Sequence, residues 1–188
     1  GDYVNMIGQV KYVKYFEYII DPSNQIDITI TDVNGLVDSL PIRSGSSIEL
    51  KIEHPSQSEE FVYKGVISNI VGKTMDQRKE VYTLICKTGG TFSNHTTRVW
   101  ERFDGNISKT VKSILKDKVK VDKDVIVDST TTESSFYGNY RRPFKVIADL
   151  APKAIPDNGG ASEEGNTGSA GYLFYETIDS YNFKSIDK

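Results

Sequence analysis

The sequence predicts a β-rich α+β protein. An antiparallel β-barrel or sandwich over residues 1–95 is followed by a smaller α/β lobe over residues 96–188, with two helices and a C-terminal hairpin. Three observations carry that prediction. The apolar pattern from Asn5 to about Gly90 has period two; it switches to a helical period in two later stretches; and 11 Tyr and 8 Phe stand in a chain with only 37% hydrophobic residues. Aromatics at that density favour strands and large contact surfaces over helical bundles.

In the first half, Ile26, Ile28 and Ile30 alternate with Asp27, Thr29 and Thr31, and Ile48, Leu50 and Ile52 alternate with Glu49, Lys51 and Glu53. Each run reads as a strand with one wet face. Tyr12–Ile20, Phe61–Val71 and Val81–Lys87 are rich in β-branched and aromatic residues. Turn chemistry separates the runs at Asp21-Pro22-Ser23-Asn24, Asn34-Gly35, Ser44-Gly45 and Gly72-Lys73. The short connections favour an antiparallel meander over a parallel sheet.

In the second half, Ile107, Val111, Ile114 and Leu115 fall on one helical face opposite Lys109, Lys112 and Lys116, with Asn106 or Ser108 as N-cap. Pro143 suits the first position of a second helix carrying Phe144, Ile147, Ala148 and Ala151 on one face, which Pro152 ends or kinks. The polar stretch Asp128–Tyr140 reads as a surface segment pinned by its aromatics. Residues 156–170, rich in Gly and small polar side chains, form a mobile loop, because they cannot bury enough to offset their ordering entropy. A hairpin over 171–187 turns at Asp179-Ser180. Because the chain begins Gly1-Asp2-Tyr3 and stops on that hairpin, it reads as a fragment of a longer protein.

With 23 basic against 26 acidic residues, the net charge of −3 argues against a nucleic-acid coat. Arg98–Lys123 is locally positive, eight basic residues to four acidic, and the basic helix at 109–116 reads as a solvated face. No run approaches the roughly 20 apolar residues that span a bilayer, and no signal pattern opens the chain, so no membrane role is expected.

Candidate chemistry is sparse. The single Cys86 excludes an intrachain disulfide, and Cys86, His54 and His95 lack zinc-motif spacing. Arg43-Ser44-Gly45-Ser46-Ser47 has no Gly-x-Ser-x-Gly elbow and reads as a turn. Glu59, Glu60 and Glu101 are carboxylates without a specific pattern. Gly89-Gly90 follows a strand but lacks a phosphate loop's third glycine, its Lys-Ser/Thr pair and a following helix, and so reads as a sheet-ending turn. Asn94-His95-Thr96 and Asn106-Ile107-Ser108 match the glycosylation triplet. The expectation is a non-enzymatic chain with no catalytic, cofactor-binding or metal residues and no cofactor.

The order of pieces carries more. Leu40–Ile52, Tyr63–Ser68, the helix Ile107–Leu115, Arg142-Pro143-Phe144-Lys145-Val146-Ile147, and the close Phe174-Tyr175-Glu176-Thr177 with Phe183-Lys184-Ser185-Ile186 resemble the baseplate hub protein of contractile-tailed, T-even-like bacteriophages. That family is related to the valine-glycine-repeat spike proteins of type VI secretion. The resemblance implies a tube-type β-barrel in residues 1–95 and a structural virion protein of the tail baseplate, assembled in the host bacterial cytoplasm. It further implies a homotrimer that joins the tail tube protein to a spike or tail-lysozyme-type protein, with DNA passing the lumen without specific binding. The family's second barrel has no room in 188 residues, which again implies a fragment. The alternative is a carbohydrate- or receptor-binding β-domain of a tail or surface protein, in which Tyr172, Phe174 and Tyr181 stack on sugars; a cell-wall hydrolase is the least supported.

Overall fold

The structure is a computed structural model, and it describes residues 5–33, 35, 39, 42–53, 60–76, 79–157 and 170–187. Asn34, His54, Glu59 and residues 158–169 of the predicted mobile loop lie outside the described residues. The chain divides into two compact units, residues 1–16 with 24–89 and residues 17–23 with 90–188.

The first unit is built on a five-stranded sheet of order β1-β2-β5-β4-β3. Its strands are β1 (Val10–Tyr18), β2 (Asp21–Asp32), β3 (Ser47–Ile52), β4 (Phe61–Asp76) and β5 (Lys79–Lys87). The ladders β2–β5, β5–β4 and β4–β3 are antiparallel. Alternation puts Ile26, Ile28 and Ile30 opposite Cys86, Leu84 and Tyr82, and all six are buried with Tyr63 and Ile67. That shared face is the unit's core.

Two predicted turns are corrected. The chain reverses at Ile19-Ile20, and Asp21-Pro22 opens β2 instead; proline is tolerated at a strand's start, where its missing N–H costs little. Gly72-Lys73 lies inside β4, where the register with β5 shifts between Val71 and Thr74 and Gly72 takes φ +67°. A left-handed glycine accommodates such a bulge, which bends the strand rather than ending it. Gly45, at φ +98°, does sit in a turn, with the Ser46 N–H donating to the Arg43 carbonyl at 3.0 Å.

The expected barrel is not closed among the described residues: β1 and β3 end the sheet and share no ladder. The sheet is nevertheless strongly curled. Three strand spacings would put β1 about 14 Å from β4 in a flat sheet. Yet the Tyr15 ring on β1 lies 5.4 Å from Phe61 and 6.3 Å from Tyr63 on β4. The register shifts in β4 at Ile67/Asn69 and Val71/Thr74 supply that curvature.

Among its described residues the second unit carries three α-helices where two were predicted. They are α1 (Gly89–Thr96), α2 (Ile107–Ser113), which continues as a π-helical stretch to Val119, and α3 (Pro143–Leu150), which tightens into a 3-10 turn at Ala151–Lys153. Asn106 is the N-cap of α2, its Oδ1 accepting the Ser108 N–H at 3.0 Å. Ile107, Val111, Ile114 and Leu115 are all buried. On α3 the buried face is Phe144, Val146, Ile147 and Leu150, while Ala148 is exposed.

The stretch Asp128–Tyr140 is more than a surface segment. Its β8 (Glu133–Tyr137) pairs antiparallel with β6 (Arg102–Asn106). β9 (Tyr172–Glu176) and β10 (Ser180–Ser185) form the predicted hairpin, turning through Thr177, Ile178 and Asp179. The final strand is not bare, however. β10 is the centre of a three-stranded sheet, parallel to β7 (Asp124–Val127) on its other side. Both of its edges are paired, and the consecutive residues Tyr181, Asn182 and Phe183, which alternate between the two faces, are all buried, so both faces are covered as well.

Candidate interaction surface

The candidate residues do not converge. Cys86 is fully buried, and burial, followed by the nearby Asp27, pushes its thiol pKa up to about 12. His95 lies exposed on α1. Glu101 is ion-paired with Lys118, which holds its carboxyl below the usual range. Among the described residues no group of three or more His, Cys, Asp or Glu is placed to hold a metal ion, and no helix is long and apolar enough to cross a membrane.

Gly89-Gly90 is corrected from a sheet-ending turn to the start of α1. The close approach of Tyr181, whose hydroxyl would collide with any Cβ on residue 90, explains the second glycine. Both glycosylation triplets are structural. Asn94 is buried and accepts the Phe144 backbone N–H at 2.8 Å, while Asn106 caps α2. Lys109, Lys112 and Lys116 are exposed on α2 and the π-helical stretch after it.

The aromatics proposed to stack on sugars are core instead. Tyr172 stacks on Phe183 at 4.6 Å, and Phe144 packs edge-on against Phe174 at 5.4 Å and tilted against Tyr181 at 5.8 Å. Burial, then Asp128 and Asp157, raises the Tyr172 pKa to about 12, and its hydroxyl donates to the Ser129 carbonyl at 2.7 Å. Tyr172, Phe174 and Tyr181 are each no more than 6% exposed, which leaves no open ring face on which a sugar could stack.

Exposed aromatics of the second unit lie elsewhere, at Tyr18, at Phe92 on α1, and at Trp100 (62% exposed), Tyr137 (56%) and Tyr140 (74%). Tyr137 is the last residue of β8, while Trp100 precedes β6 and Tyr140 follows β8 in the chain. On the inner face Phe103 stacks on Phe136 at 5.3 Å. On the outer face Arg102 is opposite Tyr137 and Asp104 opposite Ser135. Arg102 grips Asp104 through two donors, at 2.7 and 3.1 Å, and its Cζ lies 5.8 Å from the Tyr137 ring centroid. Ser135 donates to the same carboxylate. Arg102, followed by Ser135, holds the Asp104 carboxyl below its ordinary range.

Beyond this ladder the Gly138 N–H donates to the Glu101 carbonyl at 2.8 Å, and Val99 bridges Arg141. Trp100 therefore lies across from a turn formed by Asn139 and Tyr140, closed by the Arg141 N–H on the Gly138 carbonyl at 3.1 Å. Asn139 and Tyr140 both have left-handed backbones, φ +52° and +58°. Consecutive positive φ angles are the signature of a type I′ turn, where Gly is usual and a bulky residue is strained. Arg141 clamps the turn, donating to the Gly138 and Tyr137 carbonyls at 3.0 and 3.2 Å and pairing with Asp149 at 2.8 Å. A Cβ at Gly138 would lie 2.5 Å from the Val99 carbonyl oxygen, so only glycine permits the approach. The sequence shows these aromatics but not which of its nineteen Tyr and Phe point outward; the Gly138-Asn139 pair was the available signal of a turn.

No protein-family model and no curated protein matches the sequence. The fold has solved counterparts: it is similar to the 43 kDa tail protein of prophage MuSo2 from Shewanella oneidensis, at TM-score 0.63 and 14% identity, over 94% of this chain and 50% of that one. The chain thus spans half the length of that protein, and what the two share at this identity is the fold.

Proposed function

We propose that this chain is a structural, non-enzymatic part of a phage tail, a baseplate hub subunit that forms a homotrimeric ring between the tail tube and the central spike. The observation that carries the reading is the likeness in fold, over 94% of the chain, to a prophage tail protein. The curled five-stranded sheet supports it as the wall of a tube-type barrel domain. Its two outer strands, β1 and β3, leave backbone groups that a neighbouring chain can pair, and ring assembly is one way a protein removes such edges. In this reading the tube protein meets one face of the ring, the spike the other, and DNA passes the lumen without specific contacts. The site of action is the virion tail, after assembly in the bacterial cytoplasm.

Co-expression with the tail tube and spike proteins of the same phage, followed by electron microscopy, tests this. A threefold ring capping the tube is expected; tubes and spikes that assemble equally well without the protein would reject it.

A further inference from the structure

We infer that the exposed lysine row of α2 and its π-helical continuation, Lys109, Lys112 and Lys116, is a contact site for the phosphodiester backbone of duplex DNA. The row follows from how the helix is packed. Ile107, Val111, Ile114 and Leu115 are all buried, so the opposite side faces water, and the three lysines are exposed there. They stand three and four residues apart, about one turn each, which lines them up along one face.

Their charge is not cancelled. None of the three has an ion-pair partner among the described residues, whereas Lys118 and Lys123 nearby are paired with Glu101 and Glu176. Four acidic residues lie between Arg98 and Lys123. Glu101 is taken by Lys118, Asp104 by Arg102, and Asp117 accepts the Ser113 hydroxyl at 2.7 Å, while Asp122 lies beyond the end of the helix. A row of uncompensated cations attracts a polyanion, which gains by releasing its condensed counterions.

The surroundings of the row select the kind of polyanion. Between Trp100 and Ile126 no large hydrophobic side chain is exposed. A protein interface needs apolar or aromatic anchors at its centre, and single-stranded nucleic acid needs rings on which its bases stack; a duplex keeps its bases stacked inside and presents phosphates. The dimensions agree. Lys109 and Lys116 are seven positions apart, about 10 Å of helix, which matches about three phosphate steps along one DNA strand. Long flexible stems let each ammonium follow a phosphate as a point charge. Contacts of this kind carry no sequence information, and they do not depend on the tail reading.

Fluorescence anisotropy of a labelled duplex of about 20 base pairs, titrated with the protein at several salt concentrations, tests this. The whole chain carries a net charge of −3, so binding should be weak and steeply salt-dependent. A dissociation constant in the micromolar range is expected at about 50 mM salt, with log K falling against log salt at a slope of about −3. Lys109→Gln, Lys112→Gln or Lys116→Gln alone should reduce that slope by about 0.9, and the three together should abolish binding with the melting temperature unchanged, because exposed glutamine suits a helix. Lys11, Lys64 and Lys79 are exposed on the first unit. Replacing those three with Gln makes the same change in net charge and should leave the slope unaltered. A polyglutamate peptide and a thymidine oligonucleotide serve as comparators, and both should bind less tightly than the duplex. No binding of the duplex at low salt up to about 100 μM protein overturns the inference. So does an equal loss in the two triple variants, or either comparator binding more tightly than the duplex.

Discussion

The side-chain carbonyl of Asn94, on α1, accepts the backbone N–H of Phe144 at the start of α3, at 2.8 Å and away from solvent. The N-cap position of α3 is Arg142, whose side chain makes no capping bond, so a residue 50 positions away supplies an acceptor that a local Ser or Asp would normally provide. Asn94→Ala is expected to destabilise the protein by about 1–2 kcal/mol, because it orphans a buried donor. Asn94→Asp should cost less, since a carboxylate oxygen still accepts; chemical denaturation of the three proteins checks the ranking.

Tyr181 sets a second test. Gly90→Ala drives a methyl group into the Tyr181 hydroxyl and should cost about 1–3 kcal/mol, as overpacked cores do. Gly89→Ala is the control, for nothing lies within 4 Å of the Cβ it would add. The control should be neutral or slightly stabilising in a helix. Equal melting temperatures for the two variants would refute the close packing of α1 on β10.

Lys123 and Glu176 form an ion pair at 2.8 Å in which the carboxylate side chain is 0% exposed and the lysine 14%. Lys123→Met leaves a buried carboxylate without its cation and should destabilise by about 3–5 kcal/mol. Glu176→Gln should be milder, because the lysine stem is long enough to return its ammonium to water. Unfolding curves in urea decide the order, and the reverse order would contradict the assigned burial.

Acid sensitivity follows from the carboxylates on the second unit. Asp149 lies below its ordinary value of 3.8 mainly through Lys145, with Arg141 adding to it, and Glu101 lies below 4.5 through Lys118. Groups whose folded pKa is depressed stabilise fully above their unfolded pKa, and that contribution disappears as the pH falls through the folded value. Melting temperature should therefore hold from neutral pH down to about 5 and fall below about 4. Asp149→Asn should lower stability modestly at pH 7, by about 1 kcal/mol or less given the site's partial exposure, and flatten the acid decline.

These contacts also mark what a sequence reader can and cannot see. Ile26, Ile28 and Ile30, and the Ile107–Leu115 stripe, declare strand and helix because one periodic face is buried in each. The helix α1 is silent: Gly89-Gly90-Thr91-Phe92-Ser93-Asn94 are poor helix formers without an apolar stripe, and the helix exists through what it touches, Tyr181 and Phe144. β6 and β8 were hidden for a different reason. Each is five residues long, with one half-buried inward aromatic, Phe103 or Phe136, amid mostly polar neighbours. Sheet order misled the reading of the hairpin, since alternation in Tyr172–Glu176 cannot say that β10 is central and its aromatics inaccessible. The exposure of Trp100, Tyr137 and Tyr140 was illegible for the converse reason: aromatic residues in a β-rich chain read as core until the packing shows which of them face solvent.

The mass of the complete gene product in solution, measured by sedimentation equilibrium or native mass spectrometry, bears most directly on the proposed hub role. A hub subunit should give a species of three protomers that persists on dilution through the micromolar range. A strict monomer that also fails to bind a tube or spike protein would contradict it.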